Sequence, residues 1–348
     1  MPLTAGPSPA AWNRLAHDAG NLFATHTWAS CWWDFYGDGA QADVLCDDLA
    51  DPTVVLPLVV TGRVLRQARF IGHGPADQLG PVCAPEHRPR AQALLREALE
   101  GGRVRADVVL LQDMPLDEPW WQPLGGRQVS SEVSPVVDLV EHDDWESFLA
   151  SRSRNLRAQM RRKTAKLEDA HDVTYRLATA ETIEADLATL FDLHARRWEG
   201  ESPLLDERQG GFTAAFARAA LAQGWLRLWF LEIAGRPVAT ALVFEFAGAS
   251  YCYQLGRDPD HDHESVGFVL MVRIIRAALE SGLREFRFLR GDEGYKGRFA
   301  TREPMIESIA HARTARGRVA VRAALVRRHH REVAAEERAA VSEPAAAR

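Results

Sequence analysis

The sequence predicts a two-lobed α/β protein, each lobe a mixed, mostly antiparallel sheet with flanking helices. Three observations predict it. The chain has 348 residues, more than one small domain uses and comfortable for two. Strand-like and helix-like patterns alternate on both sides of a composition break near Glu141–Trp145. Hydrophobic residues make up 46% and charged residues 26%, so the chain can bury a sizeable core. The expected divisions are 1–140 for the first lobe, 141–316 for the second, and 317–348 for a tail that is helical and then disordered.

Each element has its own justification. Ala11–Ala19 and His26–Tyr36 are helical stretches; the second carries Trp28, Trp32, Trp33 and Phe35 at helical spacing, a pattern of core packing. Thr53–Val60 is apolar and β-branched, and Gly62-Arg63 makes a hairpin turn into Val64–Ile71. A Gly/Pro loop with His73 and Asp77 follows. Pro89–Glu100 reads as a helix stopped by Gly101 and Gly102; Ala106–Leu111 and Val133–Leu139 read as strands. A long basic helix is expected from Asp144 to about Asp169, with an apolar stripe of Leu149, Leu156, Met160 and Leu167.

Val173–Leu177 is a strand, and the next helix has the apolar face Ile183, Leu187, Leu190, Phe191 and Trp198. A further helix spans roughly Phe212–Gln223. Leu226–Ile233, Val238–Phe246 and Ser250–Leu255 are strands, with Gly235 in the first turn free to take positive φ. A polar loop leads to a helix over Val266–Ser281, with Gly282 at its C′ position. The strand Glu285–Leu289 puts Phe286 and Phe288 on one face, and a last strand lies near Met305–His311.

The formal net charge of -6 excludes a general polyanion binder, so any phosphate affinity must come from a local patch. Four cysteines without a CxxC pair suit reduced, buried thiols. The start MPLTAGPSPA has no basic or apolar leader pattern, and no apolar run approaches ~18 residues, so no signal peptide or membrane span is expected and the location is read as cytoplasmic.

Several motifs carry a resemblance. SRSRNLRAQMRRKTAKLEDAHDVTY and LFDLHARRW resemble consecutive segments of FemABX proteins. FLRGDEGYKGRF (Phe288–Phe299) resembles both a CelD-like motif and the FemABX segment in which a lysine follows an aromatic. LFATHTWASCWWDFYG, VLPLVV and ARFIGHGPADQLGP are similar to the opening lobe of CelD-like acyltransferases. The order of elements in the second half is that of the GNAT superfamily. From about Leu22 to His311 the chain thus resembles two tandem GNAT-like lobes of the FemABX and CelD-like branch.

The resemblance implies an N-acyltransferase working by direct attack of an amine on an acyl donor. No Ser-His-Asp or G-x-S-x-G pattern appears, which suits direct attack. Such chemistry needs a base for the amine proton, donors for the oxyanion and a proton for the leaving group. Lys296 is the expected cation, Tyr295 the proton donor, and Asp292 or Glu293 the base; Gly291, Arg197 and Trp198 border the acceptor.

For donor binding the expected residues are Leu255, Gly256, Ser265 and Gly267, with Arg154, Arg157 and Arg161 on the basic helix holding phosphates; the competing reading of that helix is a solvated face. The loop before Val266 departs from the GNAT phosphate-binding pattern: only Gly267 remains, and Asp258, Asp260, Asp262 and Glu264 precede it. The expected donor is acyl-CoA, acetyl-CoA first, with no metal, although His261 and His263 stand in that loop. The expected acceptor is an amine on a small molecule, glycan or peptide. Two alternatives stand beside this reading: transfer from aminoacyl-tRNA, against which the overall acidity argues, and a catalytically degenerate GNAT-fold binding module.

Overall fold

Several helices start where the sequence supplies caps. The side-chain oxygens of Ser8 and Thr25 accept from first-turn N–H groups and open α1 (Pro9–Asp18) and α2 (His26–Tyr36). α2 buries Trp28 and Trp32, as their spacing predicts. The computed structural model describes residues 3, 6–117, 119–291 and 293–327.

The first sheet holds β1 (Gln41–Cys46), β2 (Val55–Thr61), β3 (Gln67–Phe70), β4 (Val108–Pro115) and β5 (Arg127–Val133), with α3 (Arg88–Glu100) between β3 and β4. The second holds β6 (Val136–Asp138), β7 (Val173–Leu177), β8 (Leu226–Ile233), β9 (Arg236–Phe246), β10 (Ala249–Arg257) and β11 (Glu285–Arg287). Its helices are α4 (Trp145–Ser151), α5 (Arg154–Ala170), α6 (Ile183–Arg197), α7 (Glu207–Ala222), α8 (Val266–Glu280) and the short α9 (Gly294–Phe299). The last strand is β12 (Met305–Ala312), and a helix runs over 315–327. The disordered end expected for the tail lies outside the described residues.

The sheet orders are β1-β2-β3-β4-β12-β5 and β6-β11-β10-β9-β8-β7. Only β3–β4 and β10–β11 pair parallel, so each sheet is mixed and mostly antiparallel, as expected. Sheet membership departs from the linear division at 140 and 316. β12 sits between β4 and β5 in the first sheet, and β6 borders β11 in the second.

The single strand expected over Val133–Leu139 is two strands in different sheets. Pro135 has no N–H for a ladder, and there the chain crosses over while Ser134 N donates to Pro304 O at 2.9 Å. The long basic helix is also two helices. Arg152 is extended, and the Ser153 hydroxyl accepts from Leu156 N to open α5 afresh. β1 carries no pattern strong enough to have been read from the sequence; its pairing with β2 makes it a strand.

The lobes share an aromatic core. Trp28 meets the edges of Phe212 and Phe216 at 4.8 and 4.6 Å, and Tyr253 at 5.8 Å. This fixes the first lobe against α7 and β10 and so shapes the cleft between them. A second core lies on the other face of the second sheet, under α4, α5 and α8.

Candidate active site

β10 and β11 pair over only three residues, Ala249–Tyr251 against Glu285–Arg287. Beyond Tyr251 they part, and β10 shifts register against β9 between Cys252 and Gln254. Two adjoining cavities open at the parting. One, of about 340 Å³, runs between β10, the start of α8 and α9; Leu255, Gly256, Ser265 and Gly267 line it. The other, of about 240 Å³, lies where the lobes meet; Asp77, Trp198, Tyr253, Arg290, Glu293 and Lys296 line it. Arg197, Leu255 and Tyr295 line both.

Gly256 is required where it stands. A Cβ there would lie 2.7 Å from His194 N and 2.9 Å from Leu193 C on α6. His194 itself is an interior residue, bonded through one ring nitrogen to Leu255 O at 2.8 Å and through the other to the Ser202 hydroxyl at 2.7 Å.

The start of α8 suits an anion. Ser265 holds a left-handed φ of 60°, no side chain caps the helix, and Ser265, Val266 and Gly267 line the larger cavity. Lys163 on α5 reaches the Ser265 hydroxyl at 3.0 Å and lies 4.8 Å from the Phe268 ring centre. The carboxylates of the acidic loop are engaged: Asp262 pairs with Arg257 at 2.9 Å, Asp258 pairs with Arg196 at 2.6 Å, and Glu264 is in hydrogen-bond contact with the rings of His171 and His261, the latter at 2.6 Å. Asp260, 86% exposed, lies 3.6 Å from the Arg196 guanidinium. Among the described residues, no group of three or more His, Cys, Asp or Glu is arranged to hold a metal ion.

Lys296 departs from the loop position expected for it. It lies on α9 and is 5% exposed, with Nζ 2.7 Å from Arg290 O and 2.6 Å from Glu293 Oε2. Gly291, at φ 115°, makes room: a Cβ there would meet the Glu293 carboxylate at 2.5 Å. Burial pushes the Tyr295 hydroxyl pKa well above its ordinary value, with Arg197 opposing, so Tyr295 keeps its proton. Asp292 lies outside the described residues. Trp198 is 41% exposed at the cavity rim rather than on the buried face of α6.

The basic helix needs a correction. None of Arg154, Arg157 and Arg161 lines either cavity. Arg157 donates to the carbonyls of Leu149, Ala150 and Arg152, and Arg161 pairs with Glu146 at 2.6 Å. The break at Ser153 turns this face toward the end of α4. Lys163, two and six residues from Arg161 and Arg157, falls on the cavity side instead.

Sequence reasoning missed a second set of residues. Arg290 Nε pairs with Asp77 at 2.9 Å, its Nη1 with Asp113 at 3.1 Å, and its Nη2 donates to Gly74 O at 2.9 Å. Burial raises both carboxyl pKa values, that of Asp77 to about 6, against the opposing pull of Arg290. The cluster ties the Gly/Pro loop and β4 of the first lobe to the strand end that carries Lys296. Arg290 stands inside the FLRGDEGYKGRF stretch, but its partners are more than 170 positions away and no local pattern announces them.

Residues 154–297 match the family model of the acetyltransferase (GNAT) domain. The second lobe carries a GNAT acetyltransferase domain. Across both lobes the fold is similar to FemX, with a TM-score of 0.66 and 12% identity over 89% of this chain and 97% of that one. It is also similar to L-PGS from Bacillus licheniformis (TM-score 0.60, 13% identity, 93% and 99% covered). A third likeness is to the C-terminal domain of a putative lysylphosphatidylglycerol synthetase from Agrobacterium fabrum (TM-score 0.58, 14% identity, 90% and 96% covered). At these identities the likeness is one of fold. No curated protein matches the chain in sequence. Among the described residues, no helix is long and apolar enough to cross a membrane.

Proposed function

We propose that this GNAT protein transfers an acyl group from acyl-CoA, acetyl-CoA first, to a primary amine brought in from the cleft between the lobes. The observation that carries this reading is the meeting of the two cavities at Arg197, Leu255 and Tyr295, with Lys296 on the far side. The larger cavity suits the donor. Its uncapped helix start and Lys163 offer N–H groups and a cation to a pyrophosphate, and the arginines on Asp258 and Asp262 remove most of the repulsion the acidic loop would exert.

In the reaction the amine nitrogen attacks the thioester carbon. A C–N bond forms, the carbonyl becomes an oxyanion, and the C–S bond then breaks. Glu293, 45% exposed beside Lys296, takes the proton the amine loses. The Lys296 ammonium steadies the oxyanion, and Tyr295, still protonated, gives the leaving sulfur its proton.

A second reading has one observation in its favour. Arg154, Arg162 and Lys166 are exposed on α5, beside Lys163, and would suit the phosphates of an aminoacyl-tRNA, the donor that the FemABX resemblance implies.

Titration with CoA and with a deacylated tRNA at two salt concentrations separates the readings. CoA binding that survives added salt supports acyl-CoA; salt-sensitive tRNA binding without CoA binding overturns it. Lys296→Met, assayed by thiol release from acetyl-CoA with a panel of primary amines, is expected to lower turnover by about 10²–10³. Unchanged turnover in the folded variant removes Lys296 from the reaction.

A further inference from the structure

A separate cavity lies across α8 from the donor groove. It measures about 460 Å³, between α4, α5, α8 and the edge strand β7, and no residue lines both it and the donor cavity. Its volume falls within the ~300–1,000 Å³ of small-molecule sites. One wall is apolar: Trp145, Leu149, Met160, Val269 and Val272. The other is polar, and most of its charged groups are already engaged. Arg161 pairs with Glu146 at 2.6 Å and Arg276 with Glu280 at 2.7 Å, while Glu168 accepts from the Tyr175 hydroxyl at 3.2 Å.

Arg273 is the exception. Among the described residues its guanidinium makes no hydrogen bond or ion pair; its Nε is buried and unpartnered, and it lies 5.7 Å from the Tyr175 ring centre. The Thr164 hydroxyl on the same wall is also buried without a partner. Burying unpaired polar atoms costs stability. Both residues line this cavity, and the Arg273 guanidinium, always charged and without an anionic partner among the described residues, marks a position for an anion that accepts hydrogen bonds.

We propose that this cavity binds a small amphiphilic carboxylate. Its carboxylate sits on Arg273 and accepts from Thr164, and its hydrocarbon body lies against Trp145, Leu149, Met160 and Val272. An anion fits the wall because the two carboxylates there, Glu146 and Glu168, are engaged with Arg161 and Tyr175. A hydrocarbon body fits because Trp145, Leu149, Met160, Val269 and Val272 line the same cavity. The site is independent of the donor groove, so it holds whether the donor is acyl-CoA or aminoacyl-tRNA.

Calorimetric titration of the full chain with octanoate, and with octanamide as its neutral isostere, tests the proposal. Octanoate is expected to bind more tightly than octanamide. Arg273→Gln is expected to weaken octanoate about tenfold or more while leaving octanamide unchanged. Ala165→Trp, which fills the cavity from an exposed helix position, is expected to abolish both, with circular dichroism confirming the fold. No octanoate binding, equal affinity for the two probes, or octanoate binding that survives either substitution overturns the proposal.

Discussion

Gly256→Ala places one methyl group where β10 passes α6 in the lining of the cavity of about 340 Å³. The new Cβ would stand 2.7 Å from His194 N, 2.9 Å from Leu193 C and 2.9 Å from Thr240 Cγ2, whereas non-bonded carbon atoms sit best at about 3.5–4.0 Å. Two of the three neighbours are backbone of a helix whose His194 side chain is anchored at both ring nitrogens, so a rotamer change cannot relieve the contact. β10 and α6 must separate by on the order of 0.7 Å, the shortfall from ordinary contact. Overpacking of this kind costs about 1–3 kcal/mol. Against it stands a gain of about 0.4–1 kcal/mol from a less flexible unfolded chain, leaving a net loss of about 1–2 kcal/mol. Urea unfolding followed by intrinsic fluorescence measures the loss, and CoA titration of the folded variant measures the distorted groove. An unchanged urea midpoint together with unchanged CoA affinity would refute the close-approach argument.

Arg290→Met leaves Asp77 and Asp113 facing each other without their cation, and is expected to destabilise the protein by about 3–5 kcal/mol; a loss below 1 kcal/mol in urea unfolding would mean the cluster does not tie the lobes. The pH profile of stability carries the mark of Asp77. Its folded pKa is raised from 3.8 to about 6, so its contribution is fully present below about pH 4 and lost as pH rises through 6. Asp77→Asn should therefore flatten the fall in melting temperature between pH 4 and 6, and identical slopes for the two proteins would contradict the assignment. Lys163→Gln should weaken CoA binding about tenfold, the loss of one charge-assisted contact, whereas replacing Arg154, Arg157 and Arg161 together should leave CoA affinity nearly unchanged; the opposite ranking by calorimetry would return the phosphate role to the outer face of α5.

Much of the architecture was legible because periodicity is a local property. The run Leu226–Ile233 reads as a strand and is one, α2 buries the tryptophans its spacing selects, and Gly235 and Gly282 take positive φ at the turns they punctuate. The two corrected elements lie where a local signal was discounted: Ser153 is an N-cap residue inside a helical pattern, and Pro135 interrupts a strand pattern. Part of the site was legible in the same way. Gly256, Ser265, Gly267, Tyr295 and Lys296 all line the paired cavities, since a short motif keeps its residues close in any fold.

The sequence by itself determined most element types, the two-lobed α/β class, the family resemblance and the stretch that holds Lys296. Tertiary structure alone decided which sheet each terminal strand joins, which residue of the basic helix contacts Ser265 at the start of α8, and that Arg290 would be clamped between Asp77 and Asp113. The physical reason is range. Hydrogen-bond period and caps act over a few residues, whereas the insertion of β12 between β4 and β5, or the approach of Asp113 to Arg290, joins positions 172 or more apart whose meeting depends on how two sheets pack around one aromatic core.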